Sequence, residues 1–140
     1  MPNEIKTTVD LVRIAQLELT SEHDNKALPG AITTEGGYKG EQMSGKAVTH
    51  FTTFNHGVDD ADQSFNGISV FTGSILGRAG TVAFTIAGGY DKASDVVEAE
   101  YVILGASASG ELKGIKGAGH SACSPGKSTG IPATFNVEFA

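Results

Sequence analysis

Four side chains in this sequence could do acid–base work or polar recognition: His50, Glu98, Glu100 and Tyr101. Glu98 and Glu100 lie two residues apart, a spacing that puts both carboxylates on the same face of a strand. Inside a cavity such a pair could act as acid and base, whereas facing water it would only solubilise. His50 stands beside Phe51 and close to Phe54, so a strand through this run could turn the imidazole toward an apolar interior. Tyr101 shares a parity with Val97, Ala99 and Ile103 and brings a phenol onto that face. These four are the ligand-binding candidates. No catalytic constellation stands out, and in an enzyme these same four would be the candidate acid–base groups.

Other chemistry-bearing clusters read as ordinary structure. Ser121-Ala-Cys-Ser-Pro-Gly126-Lys127-Ser128 ends like a phosphate loop, but position 121, where that motif needs glycine, holds serine. A strand rather than a helix is expected after it. His23, His50, His56 and His120 lack the short paired spacings of a zinc site. His120 and Cys123 have no third orienting group nearby, as nucleophilic catalysis would need. Asp59, Asp60 and Asp62 make an acidic tip without the long ligand ladder of a calcium loop. No metal and no cofactor is expected, and whether the chain is an enzyme stays open.

Composition narrows the partners. The chain has 140 residues, 16 acidic and 10 basic, for a net charge of −6. That balance disfavours phosphate-backbone binding, and the scattered lysines carry no aromatic stacking pattern. Nucleic acid is not an expected partner. The single Cys123 can close no intramolecular disulfide, which favours a reducing compartment. No apolar run reaches the roughly 18 residues of a membrane span, and the first residues lack a signal-peptide pattern. A soluble cytoplasmic protein, one domain over 1–140, is the expectation.

The elements that must position these residues read as strands. Ala133, Phe135, Val137 and Phe139 alternate with polar residues, and Val82, Phe84 and Ile86 do the same within Thr81–Ala87. Val96–Leu104, Gln42–Phe54 and Ser64–Thr72 are further strands. Thr8–Thr20 alternates too, but its phase changes near Ala15, which a β-bulge would reconcile. Apolar residues on both faces of Thr8–Thr20 and Val96–Leu104 raise the expectation of a homo-oligomer. Pro29-Gly30, Gly36-Gly37 and Pro125-Gly126 mark loops, and Ser21–Lys39 reads as a connection. Arg78 in a glycine turn reads as structural, bonding carbonyls at one end of the fold.

Short strands with glycine turns point to an all-β sandwich or barrel. Gly67, Phe71-Thr72-Gly73 and Gly77-Arg78-Ala79-Gly80, with the strand and Gly-Tyr-Asp turn behind them, resemble the bacterial domain-of-unknown-function 3224 family. Gly110-Glu-Leu-Lys-Gly114-Ile-Lys-Gly117-Ala-Gly119 resembles its second glycine block. The chain departs from the family at Ser69-Val70, where many members carry a Glu-Arg pair. The resemblance implies a closed antiparallel β-barrel of about eight strands, allene oxide cyclase-like or lipocalin-like, with an interior pocket. The expected ligand is a small, partly apolar molecule. The alternatives are an isomerase or cyclase acting on a hydrophobic substrate, and an oligomeric interaction protein.

Overall fold

The computed structural model describes residues 2–18, 29–55 and 63–140. His23, His56, Asp59, Asp60 and Asp62, weighed above as ligands, lie outside the described residues. Eight strands follow one another: β1 (Asn3–Glu18), β2 (Pro29–Lys39), β3 (Met43–Asn55), β4 (Gln63–Ile75), β5 (Arg78–Asp91), β6 (Val96–Gly110), β7 (Ile115–Cys123) and β8 (Ile131–Phe139). Each pairs antiparallel with its neighbour in sequence, and β8 returns to β1, so the sheet closes into a barrel. Closure leaves no edge strand to pair with another chain.

Two registers carry irregularities, and one of them was legible. β1 slips against β2 between Arg13 and Ala15, which is the bulge that the change of phase near Ala15 calls for. The second lies between Thr81 and Ala83 of β5, opposite the Leu104–Ser109 stretch of β6. There the Ser107 hydroxyl takes over a backbone role, accepting from the Ala83 N–H at 2.9 Å and donating to the Leu104 carbonyl at 2.6 Å.

The reading of Ser21–Lys39 as a connection is corrected in its second half. Pro29–Lys39 is a full strand laddered to both β1 and β3. Its glycines are there because neighbouring strands come too close for a side chain. At Gly36 an added Cβ would stand 1.9 Å from the Asp10 carbonyl oxygen. Gly36-Gly37 is therefore sheet interior, not a turn. The Pro125-Gly126 loop, by contrast, lies where expected, between β7 and β8.

The two ends of the barrel differ. One end carries the β2–β3, β4–β5 and β6–β7 turns and is packed solid by Ile5, Met43, Ile75, Leu112, Ile115 and Val137, all at most 2% exposed. Arg78 stacks its guanidinium over the Phe139 ring here, 3.8 Å from the centroid, rather than bonding carbonyls. Next comes an aromatic layer. Tyr38 meets Phe71, Phe84 and Phe135 edge-on at 5.5–6.0 Å, and Tyr101 leans on Phe135 at 5.1 Å. Ring pairs at these distances and angles add to plain area burial. Beyond this layer, toward the β5–β6 and β7–β8 turns, the described residues do not fill the interior.

Candidate functional site: a cavity at one end of the barrel

The space above the aromatic layer is a cavity of about 870 Å³. Its walls are apolar, built by inward-facing residues of six strands: Leu11, Ile32, Phe51, Phe65, Ile86 and Val97. The Phe51 and Phe65 rings meet edge-on at 5.5 Å and stiffen one side. Alternation along each strand dictates this lining, because every second residue of a barrel strand must point inward.

A few polar groups interrupt the apolar wall. Tyr101 on β6 and Ser121 on β7 join their hydroxyls across the strand pair at 3.0 Å. Burial raises the Tyr101 phenol above the usual tyrosine value, against the opposing hydrogen bond from Ser121. It therefore stays protonated and keeps a hydroxyl proton in the site at neutral pH. Across the barrel, the buried Thr34 hydroxyl has no hydrogen-bond partner among the described residues. An unsatisfied buried hydroxyl costs about 1–3 kcal/mol. Cys123 stands beside Ser121 in the lining, and burial raises its thiol too. That is the opposite of what an activated nucleophile needs.

The rim is held by the loop at 124–130. Leu11 donates its N–H to the Ser128 carbonyl at 2.7 Å, and the Gly130 N–H donates to Asp10 Oδ1 at 2.8 Å. Lys39 pairs with the same carboxylate at 3.2 Å. These donors hold the Asp10 carboxyl below the ordinary aspartate value, the Gly130 backbone bond first and Lys39 second. The loop places Pro125 and Lys127 at the mouth of the cavity.

Of the four candidates from the sequence, only Tyr101 faces this cavity. His50 projects from the outer wall of β3 and bonds the Thr33 hydroxyl at 2.9 Å through Nδ1. The inward parity of β3 belongs to Ala47 and Thr49, so an even-numbered neighbour must face out. Glu98 and Glu100 share a face as expected, but it is the outer one, beside a shallow depression over Gly88, Gly89 and Tyr90. Their parity is opposite to that of Tyr101, so all three could never meet inside one barrel. His120 is likewise exposed while Cys123 lines the interior, which separates that pair onto opposite faces. Ser121, Thr34 and Cys123 were missed as lining residues. Continuing the parity of Ile115 along β7 finds Ser121 and Cys123, but Thr34 could not be found while β2 was read as a loop.

Among the described residues, no group of three or more His, Cys, Asp or Glu side chains is placed to hold a metal ion. Ser69, where the resembled family has the glutamate of its pair, is buried in the wall and accepts a hydrogen bond from Thr49 at 2.8 Å. Val70 beside it faces outward.

A family model described as "Protein of unknown function (DUF3224)" matches residues 11–134, nearly the whole barrel. The chain belongs to the DUF3224 family. No curated protein matches it. Among solved structures, a DUF3224-family protein of unknown function from Shewanella oneidensis MR-1 superposes with a TM-score of 0.76. It is 13% identical, and the alignment covers 100% of this chain and 99% of that one. Two DUF3224 chains so divergent in sequence thus share one fold, and neither family description names an activity.

Proposed function

We propose that this DUF3224 barrel binds a small, partly apolar ligand inside its half-empty interior. The observation that carries the reading is the cavity itself. At about 870 Å³ it falls within the roughly 300–1,000 Å³ of small-molecule sites, and it has their make-up of apolar walls with a few polar groups. An apolar wall favours an apolar body, and the Tyr101–Ser121 hydroxyl pair and the Thr34 hydroxyl favour a neutral oxygen or nitrogen on it. The charged residues of the lining, Arg13 and Lys127, are both solvent-exposed, so an ion deep in the cavity would find no opposite charge beside it.

Binding fits the site better than catalysis. The described lining holds no carboxylate and no histidine, and two of its titratable groups, Tyr101 and Cys123, are both shifted away from neutrality. General acid–base work wants a group poised near the working pH.

The test is titration with an environment-sensitive apolar fluorophore, followed by native mass spectrometry of freshly purified protein. Wild type is expected to bind one probe and to release it to a competing apolar ligand. Ala99→Phe, which sends a ring into the cavity, should weaken the probe about tenfold while the protein stays folded. Equal probe binding by wild type and Ala99→Phe would sink the proposal.

A further inference from the structure

Strand β1 carries one arginine on its inner face. Ile5, Thr7 and Val9 are its buried inward residues, Leu11 lines the cavity, and Arg13 stands next on the same parity. Register agrees, because Arg13 is the cross-strand partner of Thr34, a buried residue of the cavity wall. The bulge follows at once, between Arg13 and Ala15, so the inward run ends on this residue. Bulges at barrel rims re-aim side chains in this way. Arg13 lines the cavity and is exposed as well. Its apolar stem lies along the wall while its charge stays in the water at the mouth.

A second cation is brought to the same side of the mouth. Two bonds tie the rim loop to β1, from the Leu11 N–H to the Ser128 carbonyl at 2.7 Å and from the Gly130 N–H to Asp10 Oδ1 at 2.8 Å. They set Lys127, the neighbour of Ser128, beside the wall that Leu11 and Arg13 build. The charge of Lys127 reaches inward as far as Cys123, where it works against the rise that burial imposes on the thiol. The described lining thus contains two cations and no carboxylate, in a chain with 16 acidic and 10 basic residues. Described carboxylates near the mouth are turned to other partners. Asp10 faces outward to Gly130 and Lys39. Asp91 and Asp95, across the barrel at the β5–β6 turn, accept from Ala93, Ser94 and Tyr90.

We infer that the ligand of this cavity is an amphipathic anion, with its apolar body inside the barrel and one carboxylate-type head at the mouth, held by Arg13 and Lys127. Two like charges at one rim repel each other, and a bound anion offsets that repulsion. Arginine presents a planar fork that matches a carboxylate, and lysine adds a further charged donor. The Thr34 hydroxyl, opposite Arg13 on the same inner face, is an independent sign that this wall receives a polar atom of a ligand. It is buried and has no partner among the described residues. An anion held at depth would shed its water with no cation beside it, so the charges permit only the head-out orientation. Inside, the hydroxyls are left to neutral atoms. This assignment of charge and orientation rests on the cavity being a ligand site.

Competition against an uncharged, environment-sensitive fluorophore tests it, with decanoate, decanol and decylammonium as ligands of one length and three charges. At about pH 7.5 the carboxylate is ionised and the amine protonated. Wild type should bind decanoate about tenfold more tightly than decanol, and decanol more tightly than decylammonium. The margin of decanoate over decanol should shrink as salt is raised, because the head stays near water. Arg13→Gln and Lys127→Gln should each narrow that margin, and the double variant should abolish it. Arg13→Glu combined with Lys127→Glu should turn the preference toward decylammonium. Both positions are exposed, so melting temperatures should stay close to wild type. Decanol competing as well as decanoate on wild type, or a margin indifferent to both substitutions, overturns the inference and leaves the cavity as a site for neutral ligands. If wild type binds no fluorophore, or none of the three ligands displaces it, the cavity reading itself falls and the anion with it.

Discussion

Parity decides what each residue of a barrel strand can do, and it sorts the candidates for chemistry more sharply than residue type. Glu98 and Glu100 attract notice as paired carboxylates, yet Tyr101 between the same strand ends fixes them to the outside. His50 failed for the same reason, since Val48, Phe51 and Phe54 put apolar residues on both faces of β3 and hid which face was inner. The residue that holds the cavity rim, Asp10, gave no sign in the sequence, because its partners Gly130 and Lys39 are distant in the chain. Its depressed pKa has a consequence in acid. A carboxyl whose folded pKa lies below its unfolded value, about 3.9, contributes stability that is fully present above that unfolded value. The contribution is lost as pH falls through the folded pKa. Asp10→Asn should therefore be less stable than wild type at neutral pH, and the gap should close as both are taken below about pH 4. Urea unfolding midpoints at several pH values measure this, and a gap that does not change with pH would show the carboxylate charge to be irrelevant.

Strands were legible where polar and apolar residues alternate cleanly, as in β5 and β8, and even the bulge in β1 announced itself as a slip of phase. β2 was not legible, because glycine signals a turn in most sequences but here lets strands of a tightly coiled barrel approach each other. The Gly73–Gly80 block shows both uses at once. Gly73 and Gly80 pair with each other within the β4–β5 ladder, and the turn itself is only Leu76-Gly77, both at positive φ, 52° and 77°. Nothing lies within 4 Å of where a Gly77 Cβ would stand, so the requirement there is backbone conformation alone. Gly77→Val should cost about 1–3 kcal/mol, whereas Gly77→Asn, a residue that tolerates this conformation, should cost clearly less. Thermal or chemical unfolding of the two variants reads the difference. Equal losses would point to packing at the hairpin tip instead of backbone strain.

At the scale of the whole molecule, strands and glycine turns gave the all-β class, and the family resemblance implied the closed barrel of about eight strands and an interior pocket, but that one half is packed and the other hollow was not legible. Periodicity says which side chains point inward and is silent on whether they meet. They meet at the packed end because phenylalanine, isoleucine and methionine converge there. They fall short at the other because Thr34, Ala99, Ser121 and Cys123 are too small to span the lumen. This asymmetry makes one substitution have two outcomes. Ala47 lies inward on β3 directly opposite Phe71 in the packed half, so Ala47→Leu should overpack the aromatic layer and cost about 1–3 kcal/mol. Ala99 is as well buried, at the same 7% exposure, but it borders the cavity. Ala99→Leu adds the same atoms into open space and should change stability by less than about 0.5 kcal/mol, since no neighbour must move. That space belongs to the site, so the added isopropyl group should lower the affinity of an apolar probe. Comparable destabilisation by both variants would mean that the interior is closed at both ends, and the proposed ligand site would fall with it.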